Sequence, residues 1–162
     1  MTASGKTGTC VVFTIFSFWV LGVMAYFSFL ANFVHNELDP YFQAHNMDTE
    51  AIKTSSALAA LIWSVLLEIP CFLVLFTVYM VDIQWGCFRG LCAAPFSAGL
   101  ITTSVFVARW MLQWHRLFSE DGPEAYDRKC YRAAVVVLVN MSLVAAMLLH
   151  IYARSVIGEF RG

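Results

Sequence analysis

One carboxylate stands alone in a long apolar stretch of this chain. Glu68 is the only charged residue between Lys53 and Asp82, and Pro70 follows it by two positions. An ionised group at the centre of a bilayer costs roughly 2.5–3.5 kcal/mol on insertion scales, so such a group normally has a partner or a function. Because proline removes a backbone donor and clashes with the carbonyl four residues earlier, we expect the helix to kink at Pro70.

Two further polar residues fall at a similar depth in other apolar stretches. A helix rises about 1.5 Å per residue, which places Arg109 and Asn140 near the layer of Glu68 if these stretches are neighbouring antiparallel helices. Polar groups within a membrane face the bundle interior and pair with one another. We therefore predict an intramembrane ion pair between Glu68 and Arg109, supported by a hydrogen bond from Asn140. Such a layer either locks helix packing or serves a proton, an ion or a lipid headgroup.

These side chains require helices that can cross a bilayer, and the composition provides them. The chain has 162 residues, of which 60% are hydrophobic and 13% charged, with a mean hydropathy of +0.70. This composition is typical of a membrane protein. Four apolar windows have about the length of roughly 20 residues that crosses a hydrocarbon core. They cover residues of about 11–34, 57–81, 95–116 and 133–153. Residues 35–56, which contain the turn signal Asp39-Pro40, and residues 115–132 are expected to be connections.

The predicted fold is all-α, with residues 1–162 forming one polytopic membrane domain. Its four transmembrane helices form an antiparallel bundle, which places both termini on the same side. Basic residues do not decide the orientation, because four fall on the side of the termini and five on the other. Cys10, Cys87 and Cys92 lie near the side of the termini, where cytosolic juxtamembrane thiols are acylated. This favours cytosolic termini, or matrix or stromal termini in an organelle; the opposite orientation would allow a disulfide between Cys87 and Cys92.

Several function classes find no support in the sequence. It contains no nucleophile and base in a recognisable motif, no glycine-rich phosphate loop and no metal ligands at a familiar spacing. The net charge of −1 gives no basic footprint for nucleic acid. We therefore predict that the protein is not an enzyme and has no catalytic residue, no metal and no cofactor, although bound lipids are expected.

We expect a non-catalytic accessory or assembly subunit of a larger membrane protein complex. The connections are short, and the first apolar window carries bulky aromatic residues around all its faces, which suits a protein that acts by helix packing. Its partners would be other membrane subunits and lipids, and homo-oligomerisation is an open alternative. A second reading is a small oligomeric transporter or ion- or proton-conducting protein that uses Glu68 and Arg109. A third is a tetraspan-like trafficking adaptor.

Overall fold

The computed structural model consists of long helices joined by short turns. It describes the backbone of residues 3–80 and 86–161, and the side chains of residues 10–11, 14–70, 73, 94–146, 149 and 153. The described residues contain no strand, so the all-α prediction is confirmed. In chain order the elements are α1 (Ala3–Phe33), a π-helical turn (Val34–Leu38), α2 (Asp39–Ala44), α3 (Asp48–Met80), α4 (Gly86–Asp121) and α5 (Glu124–Arg161).

The helical path continues from α1 into α2 through the π-helical turn. The backbone N–H of Asp39 donates to the carbonyl of Val34, five residues back, which is the bond that defines a π-helix. Pro40 follows in the first turn of α2, where a missing N–H leaves few helix bonds unmade. The sequence predicted a turn at Asp39-Pro40, and this prediction is wrong because the wider π-turn accommodates the proline without ending the helix.

The α2–α3 and α4–α5 connections are short, and each depends on one residue in the turn. Asn46 has a φ of 56°, a left-handed conformation that asparagine adopts more readily than most residues, and it separates α2 from α3. Between α4 and α5, the N–H of Gly122 donates to the carbonyl of Phe118 at 3.0 Å. A Cβ atom on Gly122 would lie 2.8 Å from the Cα of Phe118, so only glycine fits there.

The helices extend well beyond the apolar windows of the sequence. α3 begins at Asp48 and α5 at Glu124, nine residues before the windows at 57 and 133. Hydropathy marks only the residues suited to a hydrocarbon core, whereas acidic first turns extend a helix into water because they complement its dipole. Both α3 and α5 have such turns. The connections are therefore shorter than the sequence suggested.

Contacts between α3 and α4 run in opposite directions along the two helices. Leu67 packs over Gly99, the Ser64 and Thr103 hydroxyls lie 2.9 Å apart, and the indole of Trp114 reaches Glu50. α5 packs along α4 on its other side. Side chains of α5 also meet α1: Asn140 contacts Trp19, and Tyr126 contacts Phe33. Gly99 and Thr103, two small residues four positions apart, thus face α3.

Within the part of the chain that the structure describes, three helical segments are long and apolar enough to cross a membrane: Thr14–Ala44, Asp48–Pro70 and Glu124–Ala146. They indicate a membrane protein. The predicted third window, residues 95–116, lies within α4 and is not among these segments. Its apolar residues are interrupted by Thr102, Thr103 and Arg109. Pro70 lies inside α3, which continues as a helix to Met80.

Candidate functional site

Glu68 is buried and bonded as part of a polar layer inside the helix bundle. Its side chain on α3 is only 4% exposed, and the Nδ2 group of Asn140 on α5 donates to its Oε1 at 2.8 Å. Asn140 itself is 1% exposed. The contact predicted between these two residues is therefore present. It joins α3 to α5 at a depth where an unpaired carboxylate would be costly.

Trp19 extends this contact to a third helix. Its indole Nε1 donates to Oδ1 of Asn140 at 3.3 Å, so the amide accepts from α1 with one end and donates to α3 with the other. The donors and acceptors of the three groups fix this orientation of the amide, since an indole can only donate and an ionised carboxylate can only accept. We call Trp19, Asn140 and Glu68 the polar triad.

The ion pair predicted between Glu68 and Arg109 is absent, and that prediction is wrong. Arg109 lies ten residues beyond Gly99, which marks the level of Glu68 on α4, so the two levels differ by about 15 Å at a rise of 1.5 Å per residue. Arg109 also lies on a face of α4 from which it cannot reach Glu68. Val107 and Met111 are buried, and the residue midway between them points to the opposite side of the helix.

Arg109 is instead exposed beside a groove between α4 and α5. The sequence could not reveal this, because the residues around it on α4 are apolar on several faces and do not single out a buried stripe. Trp19 was missed for a related reason. Its bulky ring suited lipid contact, and the only signal for its role was the obligatory indole donor at mid-span depth.

Hydroxyl groups continue the polar layer between α3 and α4. The Thr103 hydroxyl donates to the carbonyl of Leu100 at 3.0 Å, and Ser64 lies against it from α3. Ser97 and Ser104 are also buried on α4. The buried Ser104 hydroxyl has no hydrogen-bond partner among the residues the structure describes. The buried polar side chains among the described residues are Thr54, Ser64, Glu68, Ser97, Ser104 and Asn140.

A second polar set lies at the end of the molecule where the α2–α3 and α4–α5 connections meet. We call it the polar cap, and its members are Glu37, Asp39, Glu50, Lys53, Thr54, Trp114, His115, Asp127 and Lys129. Each acid in it faces a donor on another segment or one helical turn away. The polar cap therefore joins all the helices at this end, whereas the polar triad joins three of them deeper inside.

Two contacts in the polar cap are built around aromatic rings. Lys129 on α5 bonds Glu37 at 2.9 Å, and its Nζ atom lies 4.8 Å from the centre of the Phe33 ring. The buried indole of Trp114 donates to Glu50 at 2.9 Å. A cluster of aromatic side chains packs together next to these contacts. They are Phe33, Tyr41, Phe42, Trp114, Phe118 and Tyr126.

His115 and Asp127 form a pair that sequence reasoning missed. The Nδ1 atom of His115 on α4 faces the Oδ1 atom of Asp127 on α5, and both atoms are buried. The two residues lie seven positions before and five after Gly122, so a tight helical hairpin brings them level. Treating residues 115–132 as a connection hid this relation. The other described histidines do not join the pair: His45 stacks on Tyr41, and His35 is exposed.

The remaining predicted residues are only partly described. Cys10 is a free and exposed thiol, whereas the side chains of Cys87 and Cys92 lie outside the described residues. Acylation of these cysteines stays a prediction. Among the described side chains, no three of His, Cys, Asp and Glu are placed to hold a metal ion together. Cys130, which no pattern singled out, is fully buried beside α4.

Comparison with known proteins found no matching family model, no matching curated protein and no matching solved structure. The chemistry of the described groups is therefore the basis for any function. In the polar triad, both hydrogen bonds run between helices: the Trp19 indole donates to the Asn140 carbonyl oxygen, and the Asn140 amide donates to the Glu68 carboxylate. Such an arrangement fixes the rotation of α1, α3 and α5 relative to one another.

Proposed function

We propose that this protein is a four-span, non-catalytic membrane protein that acts by helix packing as an accessory or assembly subunit of a larger membrane complex. The observation that carries the proposal is the outward face of α1. This face is formed by exposed residues spaced alternately by four and three positions. They are Val11, Ile15, Phe18, Gly22, Ala25 and Phe29.

That spacing averages 3.6 residues, which is the period of an α-helix, so the six residues form one straight stripe along α1. Phe18 is 73% exposed on this chain, and a Cβ atom on Gly22 would meet nothing within 4 Å. Small residues let a second helix approach closely within a membrane, and the bulky residues on either side add contact area. A transmembrane helix of a partner subunit fits this face.

The antiparallel bundle of the proposal draws support from the contacts of α4. This helix runs beside α3 from the Leu67–Gly99 contact to the Glu50–Trp114 hydrogen bond. α3 includes one of the three segments suited to cross a membrane, Asp48–Pro70. Because α4 follows that segment over most of its length, the proposal makes α4 the fourth span, with both termini on one side.

The test of the proposal is extraction of the full chain from its native membrane in a mild detergent, followed by native mass spectrometry. We expect a complex of fixed stoichiometry. A Cβ atom at Gly22 meets nothing within 4 Å, so Gly22→Leu adds bulk on the outward face of α1 and should remove the partner while the chain stays folded. Ala59→Leu, an exposed small residue on α3, is the matched control and should retain the partner. A chain that is monomeric in both forms would contradict the proposal.

A second candidate function is conduction of a proton or ion, and the buried hydroxyls beside Glu68 favour it. Ser64 and Ser104 both lie inside the bundle, and the Ser104 hydroxyl is unpaired among the described residues. Arg109 has no part in this version, since it lies on the outer face of α4. Purified chain in vesicles should then give a flux that Glu68→Gln abolishes. If the wild-type protein gives no flux, the conducting function is excluded. The role as a tetraspan-like trafficking adaptor stays a prediction.

A further inference from the structure

A groove runs along the seam between α4 and α5 on the outer surface of the molecule. Its volume is ≈ 390 Å³. The lining residues are mostly aliphatic, with two arginines and a glutamine on the α4 side. They are Val105, Ala108, Arg109, Leu112, Gln113, Arg116 and Leu138.

The two arginines of this groove share one face of α4 and carry uncompensated charge. Arg109 and Arg116 are seven residues apart, which is close to two helical turns. Both are exposed, and neither has an acidic partner among the described residues. No acid lines the groove. Two guanidinium groups in this position favour an anion, and a phosphate oxygen pair suits the planar guanidinium fork.

Charged groups of α5 near the groove are already engaged. A second cavity of ≈ 240 Å³ lies between the same helices and is lined by His115, Asp127, Arg128, Tyr131 and Arg132. Asp127 faces His115, and Arg128 bonds Glu124 at 2.8 Å. Tyr131 and Leu138 are seven residues apart on α5, so the two cavities lie on one side of the seam. Asp127 and Glu124 are therefore engaged on α5, and Glu120, one turn beyond Arg116 on α4, makes no ion pair with it among the described residues.

Charged and aliphatic residues follow one another along the groove in the same order as the headgroup and acyl chains of a lipid. Arg109 lies five residues before Trp114, or about 7.5 Å from the level of the polar cap. Val105 and Leu138 lie on the side away from the cap. With α4 as a membrane span, this order places Arg109 and Arg116 on the headgroup side of the groove and Val105 and Leu138 on the acyl-chain side.

We propose that this groove binds one anionic phospholipid. Its phosphate lies on Arg109 and Arg116, and one acyl chain lies along Val105, Leu112 and Leu138. Basic pockets between transmembrane helices bind anionic headgroups by this combination of charge and apolar contact. The aliphatic floor distinguishes the site from one for free phosphate, which would gain nothing from it. The inference rests on α4 being a membrane span, as in the function proposed above, but not on the role as a subunit.

The experiment uses the full chain in detergent, titrated with phosphatidylglycerol, phosphatidylcholine or inorganic phosphate and observed by native mass spectrometry. We expect retained phosphatidylglycerol in preference to phosphatidylcholine. The double variant Arg109→Gln/Arg116→Gln should weaken phosphatidylglycerol binding by about 30-fold, the effect of two basic residues at an anionic surface. Its unfolding midpoint should not change, because neither arginine bonds another described residue.

The control variant Arg128→Gln/Arg132→Gln removes the same charge from α5 outside this groove. It should keep binding within about threefold, which is a shift of less than 1 kcal/mol. Equal losses in both double variants would show general surface attraction and overturn the site. Equal retention of the two lipids by the wild type, or displacement of the lipid by millimolar phosphate, would overturn it as well.

Discussion

Asn140 is the residue on which the buried polar layer depends. Its amide accepts from the Trp19 indole and donates to the Glu68 carboxylate, so both of its polar ends are used. An arginine beside Glu68 would have supplied a positive charge to pair with the carboxylate, but the fold places Arg109 on the outward face of α4. A neutral amide in this position still provides the carboxylate with a hydrogen-bond donor, although it does not cancel the charge.

We predict that Asn140→Leu lowers the free energy of unfolding by about 1–3 kcal/mol, because it leaves a buried carboxylate oxygen and an indole N–H without partners. Arg109→Gln should stay within about 0.5 kcal/mol of the wild type, as is usual for exposed residues without special contacts. Reversible unfolding in mixed micelles measures both. An Arg109→Gln loss equal to that of Asn140→Leu would mean that the arginine does pair with Glu68.

A coupling measurement checks the same network from α1. Trp19→Phe removes only the indole donor and should cost about 1 kcal/mol, near the value of a membrane hydrogen bond. In the Asn140→Leu background this cost should disappear, since its acceptor is gone. Trp63→Phe is the matched control, because Trp63 is 58% exposed on α3 and makes no described hydrogen bond. Additive effects of Trp19→Phe and Asn140→Leu would contradict the contact.

At the scale of elements, the hairpin between α4 and α5 is the most tightly determined connection. Gly122 closes α4 by donating to Phe118, and Pro123 accepts from the N–H groups of Tyr126 and Asp127 in the first turn of α5. The helices thus turn within two residues. That closeness brings His115 opposite Asp127.

Gly122→Ala should destabilise the protein by about 1–3 kcal/mol, the usual cost of overpacking, since the added Cβ atom would press against the Phe118 backbone. Gly22→Ala is the matched control on α1. Its Cβ atom has open space, so the variant should be neutral or gain up to about 1 kcal/mol from the lower backbone entropy of alanine. The unfolding midpoints of the two variants measure the difference. Similar midpoints would show that Gly122 is not required for the turn.

For the whole molecule, the number of membrane crossings can be deduced from the sides of the membrane on which the N- and C-termini lie. If α4 crosses the membrane beside α3, the two termini share one side and the α4–α5 connection lies on the other. If α4 does not cross, the C-terminus lies opposite the N-terminus. Among the described residues, three helical segments have the length and hydropathy to span, and the packing of α4 against α3 and α5 supports a fourth span.

We predict that tags on the N- and C-termini are cleaved from the same side of sealed vesicles. A membrane-impermeant maleimide should label Ser119→Cys, an exposed position near the α4–α5 connection, only from the side opposite the one from which it labels the exposed Cys10. The buried Cys130 should stay unlabelled until the protein unfolds, which serves as the internal control. Termini on opposite sides would reduce the crossings to three.

Much of the architecture follows from local sequence, and part of the site does too. Long apolar windows predict helices because a membrane leaves the backbone few alternatives. The isolated acid at Glu68 and the amide at Asn140 were expected to meet, and they do. Residues 35–56 and 115–132 were read as connections because their polarity resembles that of loops, although capping and the π-helical turn keep most of them helical.

By itself, the sequence determined that this chain is helical, that its helices are apolar enough for a membrane, and that one carboxylate among them needs a partner. Only the tertiary structure decided which partner it has. The choice depends on how far each helix is rotated and shifted against its neighbours, and hydropathy carries little information about rotation when a helix is apolar on several faces. Contacts such as Leu67 on Gly99 set that register, turning Asn140 and Trp19 toward Glu68 and leaving Arg109 on the outer surface.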